Sequence, residues 1–354
     1  CNHSTVLCLM DFSAKQLHLT FEAKTLLFKR PSGTSRGILT EKKLWIFTLT
    51  DVQTGLSGIG ECSIIPGLSP DYTSDEQYTG KLTEVCSNPI HFFENKEALA
   101  EFPSILFGLE SAFIDLKNGG KQHYFTSDFT ERNAAIPING LIWMGDENFM
   151  NEQIEEKLTA GFSCIKMKVG ALDFETEFSI LSNLRKRFPA DQLVIRVDAN
   201  GAFSPNEAIE KLRRLAALDI HSIEQPIAAG QIEQMHDLCA NNILPIALDE
   251  ELIGITNLEE KKSLLQTIKP HYIILKPSLH GGITGTSEWI ACANELGIPW
   301  WITSALESNI GLMVIAQFTG QFEPTIPQGL GTGGLYATNF DTSLRISEGK
   351  LYYL

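Results

Sequence analysis

The pattern of apolar and polar positions changes near residue 130. Before it, Leu17–Phe28 and Lys43–Thr50 are rich in aromatic and branched residues and read as strands. Between them, Arg30-Pro31-Ser32-Gly33-Thr34-Ser35-Arg36-Gly37 is polar and carries glycine. It reads as a solvated hairpin connection rather than a cation-bearing flap over an acidic substrate. Residues 55–65 continue the strand-like pattern until Pro66-Gly67-Leu68-Ser69-Pro70 breaks it. Two helices are predicted next, Asp75–Cys86 and Pro103–Lys117. The second has a proline suited to its first turn, a packed face formed by Phe107, Ser111, Ile114 and Leu109, Phe113, Leu116, and Asn118-Gly119-Gly120 as its stop. Strands followed by helices predict an α+β unit over residues 1–130.

Beyond it, short apolar runs alternate with amphipathic helical stretches. The runs are Ile136–Trp143, Cys164–Val169, Leu193–Val197, His221–Glu224, Leu244–Leu248, Tyr272–Leu275, Trp300–Ile302 and Pro324–Gly329. Eight such runs predict an α/β fold, a (β/α)8-type, TIM-like barrel over 131–334. The section is short for a full set, so a modified (β/α)7β barrel lacking its last helix, or closure by the N-terminal unit, stays open. The tail 335–354 ends in Leu351-Tyr352-Tyr353-Leu354 and reads as a strand returning to the N-terminal capping domain.

Composition excludes more than it assigns. Of 354 residues, 43% are apolar and 20% charged, which supports a packed core. Twenty-eight basic against 43 acidic residues give a net charge of −15. That disfavours nucleic acid or an anionic membrane as the main partner and leaves a small molecule, with no oligomeric state implied. Seven cysteines, Cys1, Cys8, Cys62, Cys86, Cys164, Cys239 and Cys292, are odd in number and scattered without a CxxC pair. They read as reduced thiols of a cytoplasmic protein rather than a disulfide frame or zinc site. The apolar run Val6–Met10 is too short for a signal-peptide core or a membrane span.

The chemistry is carried at the C-terminal ends of the runs, where barrel enzymes build their sites. Lys166 and Lys168 alternate with Met167, so both ammonium groups share one face of a strand. Paired ammonium groups persist only beside anions or when one titrates down. Asp198, Glu224 and Asp249 end the next three runs and Lys276 ends the sixth, each about one βα unit from its neighbour. Three converging carboxylates call for a cation. Oxygen donors with no His or Cys nearby favour Mg2+ over zinc. Glu250 and Glu251 follow Asp249, and either could take its place as ligand. A lysine whose proton affinity falls beside a cation and a second ammonium can remove a proton α to a carboxylate, and the metal stabilises the enediolate formed.

KxK, D-A-N, E-Q-P, D-E and K-P at successive strand ends resemble the enolase superfamily, in its muconate-lactonizing-enzyme-like subgroup. Within it, Arg196-Val197-Asp198-Ala199-Asn200, Thr303-Ser304-Ala305-Leu306-Glu307-Ser308 and Gly329-Leu330-Gly331-Thr332-Gly333 are most similar to the o-succinylbenzoate synthase family of menaquinone biosynthesis. The resemblance implies a Mg2+-dependent hydro-lyase acting on a small carboxylate, 2-succinyl-6-hydroxy-2,4-cyclohexadiene-1-carboxylate. It implies Lys168 as the base, Lys276 as the cation stabilising the enediolate, and Asp198, Glu224 and Asp249 as metal ligands. Lys166 and Arg196 would support them, and Ser304, Ser308 and Asn139 would contact substrate. Dipeptide epimerases of the subgroup carry D-x-D where this chain has Gln328-Gly329-Leu330. An N-succinyl- or N-acylamino acid racemase, or another epimerase of the superfamily, remains the alternative, since the same two lysines suit 1,1-proton transfer.

Overall fold

A computed structural model describes residues 16–34 and 37–354. Cys1, Cys8, the run Val6–Met10, Ser35 and Arg36 lie outside the described residues. Strands β1 (Leu17–Thr34), β2 (Gly37–Asp51) and β3 (Ser57–Ser63) form an antiparallel sheet in that order. The stretch read as a hairpin loop is a correction: Arg30–Thr34 continues β1, and Ser32 lies opposite Leu39 after an irregularity beyond Leu27. Lys29, Arg30, Pro31 and Ile38 are exposed there, so a polar sequence costs the ribbon nothing.

Helices α1 (Asp75–Ser87), α2 (Pro89–Glu94) and α3 (Pro103–Lys117) cover this sheet. Ser74 caps α1 by accepting from Gln77 N. Helix α3 is buried almost from end to end, which explains apolar residues around its whole circumference. Its backbone rests on β3 because glycines face one another. A Cβ on Gly60 would stand 1.9 Å from Gly108 O, and one on Gly108 would stand 2.4 Å from Cys62 Sγ.

The chain continues through α4 (Asp128–Glu131), β4 (Ile136–Pro137), β5 (Gly140–Ile142), α5 (Glu147–Thr159), β6 (Cys164–Lys168), α6 (Phe174–Arg187), β7 (Val194–Asp198) and α7 (Pro205–Ala216). Then come β8 (Ser222–Glu224), α8 (Ile232–Asn241), β9 (Ile246–Leu248), α9 (Leu258–Ile268), β10 (Tyr272–Leu275), α10 (Gly282–Glu295), β11 (Trp300–Ile302) and α11 (Asn309–Gly320). Strands β5 to β11 make one parallel sheet in sequence order. Helix α7 shows the reason for the outer ring: Ala208, Leu212 and Leu215 recur at helical spacing and are buried against it.

Two predicted runs are corrected. Ile136–Trp143 splits at Pro137, which has no N–H for a ladder: β4 leaves the barrel and only β5 joins it. Pro324–Gly329 forms no strand, but Gln328 and Gly329 bridge Ile138 on one side and Thr303 on the other. Asn139 N donates to Gln328 O at 2.9 Å, Gly329 N to Ile302 O at 2.9 Å, and Ile302 N to Gln328 Oε1 at 2.8 Å. The sheet therefore closes through seven βα units and one extended segment, the (β/α)7β form. In the tail, Ala337 N donates to Leu27 O of β1. The hairpin β12 (Leu344–Ser347) and β13 (Lys350–Tyr353) pairs with β4.

Barrel helices begin where strands end, so their N-termini ring the mouth, and the cap is seated on two of them. Glu110 of α3 accepts from Ile283 N at 2.7 Å at the start of α10. Glu61 of β3 accepts from Ser308 N at 2.9 Å and Gly311 N at 2.8 Å at the start of α11. Both carboxylates are fully buried and meet the positive ends of helix dipoles.

Candidate active site

Parallel register sets the site. Lys168 of β6 pairs with Asp198 of β7, and Asp198 pairs with Glu224 of β8. Three neighbouring strands thus present their last residues at one level. Lys166 lies one layer below, opposite Arg196. Its stem reaches up, and its Nζ stands 3.1 Å from Asp198 Oδ2 and 2.7 Å from Glu224 Oε2. Lys168 Nζ is 3.0 Å from the same Asp198 oxygen and 2.8 Å from Asn200 Oδ1. Across the mouth, Lys276 bonds Asp249 Oδ2 and lies 3.9 Å from Glu224 Oε1.

These charges perturb one another. Burial alone would drag the Lys166 ammonium down, but Asp198 and Glu224 outweigh it and hold it above its ordinary value. Burial pushes the Asp198 carboxyl up, yet Lys166, Lys168 and Lys276 together hold it well below the usual range. Glu224 goes the other way: burial and the Asp198 charge raise it despite Lys166. Asp249 is raised by burial, against the pull of Lys276. Lys276 is raised because Asp249 and Glu224 outweigh its burial.

Among the described residues, no three acidic, histidine or cysteine side chains already enclose a metal position; lysine ammonium groups stand beside the carboxylates instead. The donor set nevertheless fits a hard cation. Glu224 Oε1 and Asp249 Oδ1 are buried and accept no hydrogen bond, a costly state for carboxylate oxygens that a divalent cation would relieve. Of the three acids that end the fifth run, Asp249 bonds Lys276. Glu250 accepts from Asn200 Nδ2 at 3.1 Å and lines the cavity. Glu251 is occupied by Gln225 Nε2 and Gly230 N.

The cavity over the lysines is closed by Leu39, Ile65 and Leu68 of the cap and by Asn139, Ser304 and Thr332 of the barrel. Asn139 Oδ1 is buried without a hydrogen-bond partner, and Ser304 Oγ shares a hydrogen bond with Thr332 Oγ1 at 2.6 Å. Two expectations are corrected. Ser308 does not face the cavity: its Oγ accepts from Ile310 N and bonds Glu61, because it is the N-cap of α11. Arg196 does not orient the carboxylates by contact. Its guanidinium donates to Pro327 O at 2.8 Å and lies 4.0 Å from the Trp301 ring centroid, filling the barrel beneath them. Sequence reasoning assigned no role to Asn200, although it closes the D-A-N motif. Its place two residues after Asp198 and its φ of +43° were the signal, the second visible only in the fold.

Residues 150–352 match the family model described as enolase C-terminal domain-like. An o-succinylbenzoate synthase of Desulfotalea psychrophila is 46% identical over 95% of this chain and 98% of its own. A crystal structure titled MenC from the same organism superposes with a TM-score of 0.84 at 43% identity, covering 95% of this chain and 99% of that one. An N-succinylamino acid racemase of Thermus thermophilus is 28% identical over 61% of this chain and 57% of its own length.

Proposed function

Because the chain belongs to the enolase superfamily, with the enolase C-terminal domain-like family over its barrel, we propose that it acts as an o-succinylbenzoate synthase in menaquinone biosynthesis. The reaction is dehydration of 2-succinyl-6-hydroxy-2,4-cyclohexadiene-1-carboxylate to 2-succinylbenzoate. The observation that carries the proposal is the likeness of nearly the full chain to one such synthase, joined to two lysines on opposite sides of a carboxylate cluster.

Each residue has a role in this reading. Asp198, Glu224 and Asp249 would hold Mg2+, which when bound supplies positive charge for the enediolate oxygens. Lys168 Nζ takes the proton α to the ring carboxylate and returns it to the departing hydroxide. Asp198 and Asn200 fix that nitrogen in place, 3.0 and 2.8 Å away. Lys276 faces the developing charge from the other side. Lys166 compensates the charge of Asp198 and Glu224 from below. Asn139 and Ser304 offer polar contacts to the substrate, while the apolar cap residues exclude water. The free thiols of Cys62, Cys86, Cys164, Cys239 and Cys292 suit a cytoplasmic enzyme.

Gln328 bears on the dipeptide epimerases. Its amide oxygen takes Ile302 N and its amide nitrogen donates to Ile326 O at 2.8 Å. It closes the barrel and offers no anion to a substrate ammonium. The racemase alternative differs in the fate of the enediolate once the proton has left, so the two substrates separate them. With Mg2+ present, aromatic product should form from the cyclohexadiene carboxylate. Racemisation of N-succinyl amino acids without that dehydration would refute the synthase reading.

A further inference from the structure

One wall of the cavity is fixed from outside the barrel. Ala305 and Leu306 line it, and Leu306 has a φ of +62°, a left-handed conformation that a branched residue keeps only when its surroundings impose it. Both polar groups of Ala305 are taken. Glu307 Oε2 accepts from its N at 2.7 Å, and Lys42 Nζ, from β2 of the cap, donates to its O at 2.9 Å. Tyr336 Oη donates to Leu306 O at 2.5 Å. Glu61, beside Lys42 in the cap, holds Ser308. Lys42 is 3% exposed. Burial pulls its ammonium down to about 8, against the opposing charges of Glu307 and Glu61. A buried cation is a costly way to fill this position, and its donor is spent on a loop that lines the cavity.

We propose that Lys42 is a positioning residue, which holds Ala305 and Leu306 as the substrate-facing wall and so makes substrate fit depend on the seating of the cap. Neither lysine chemistry nor metal binding passes through it; it acts through the shape of the β11–α11 loop. The inference rests on the synthase reading of the site, and the experiment keeps the two apart.

Lys42→Met preserves the stem and removes the charge and the donor. In the Mg2+-loaded enzyme acting on the cyclohexadiene carboxylate, its KM should rise at least fivefold while kcat changes less than threefold, and Lys42→Arg should bring KM back to within twofold of wild type. Amide hydrogen exchange at Ala305 and Ser308 should quicken at least tenfold, with β6, β7 and β8 unchanged. A folded Lys42→Met with unaltered KM and exchange overturns the proposal, and so does a loss confined to kcat. If Lys42→Met does not fold, Tyr336→Phe, which removes only the hydroxyl bond to Leu306 O, should raise KM in the same direction; an unaltered KM there overturns it. Wild-type turnover judges the synthase reading, and the exchange rates judge Lys42 even if that turnover is absent.

Discussion

Replacing Lys166 by methionine probes how the acid cluster is held together. The ammonium is buried and makes ion pairs at 3.1 Å to Asp198 and 2.7 Å to Glu224, whose side chains are 1% and 2% exposed. Asp198 would keep Lys168 at 3.0 Å. Among the described residues, the cation left to Glu224 would be Lys276, at 3.9 Å, and burial and Asp198 already disfavour its charge. The loss therefore falls mainly on Glu224. Removing one partner of a buried pair costs about 3–5 kcal/mol, so the urea midpoint, read without added metal, should fall by that equivalent. Arg187→Met breaks a pair with Glu155 in which both side chains are about half exposed, and should cost under about 1 kcal/mol. Mg2+ at a hundred times its Kd adds about 2.7 kcal/mol to the stability of any folded state that binds it, wild type or variant, so the comparison is made without metal. A Lys166→Met variant that loses less than about 1 kcal/mol without metal would refute the claim that these carboxylates depend on it.

Gly60→Ala should destabilise the cap by about 2 kcal/mol or more, because its Cβ would meet the Gly108 carbonyl at 1.9 Å and backbone must move; thermal unfolding reads this directly. Asp71 gives a pH signature. It is 2% exposed and accepts from Ser104 N at 3.0 Å, and burial lifts its carboxyl from 3.8 to about 6. Between those values the folded state holds the proton that the unfolded state has lost, so this group's contribution falls as pH rises through the window, by about 3 kcal/mol at most. Asp71→Asn should flatten that slope in urea titrations from pH 4 to 7, and an unaltered slope would place the titration elsewhere. Chelation should abolish turnover and Mg2+ restore it; full activity in excess EDTA would remove the metal from the proposed reaction.

The alternation of short apolar runs and helical stretches was legible because a barrel buries its strands on both faces, leaving little ambiguity at β6, β7 or β10. The lysines and acids were legible for the same reason: a charged residue closing a buried run stands at the mouth. What escaped were contacts that depend on the third dimension. Ser308 looked like one more polar strand-end residue, yet its partner, Glu61, lies 247 positions away in the cap. Arg196 shares a strand face with Asp198, and alternation could not say that its long side chain would settle on Trp301. Lys42 drew no reading from the sequence, because only docking of the cap on the barrel buries it. The polar stretch from Arg30 reads as a loop because composition reports exposure, and an exposed ribbon end shares that composition with a loop.

The most direct measurement is single-turnover dehydration by the Mg2+-loaded Lys168→Ala and Lys276→Ala variants, with substrate binding measured beside it. If Lys168 moves the proton and Lys276 steadies the charge, both rates should fall by on the order of a thousandfold while the proteins stay folded and still bind substrate. A Lys168→Ala enzyme that turns over within tenfold of wild type would contradict the assignment of the base.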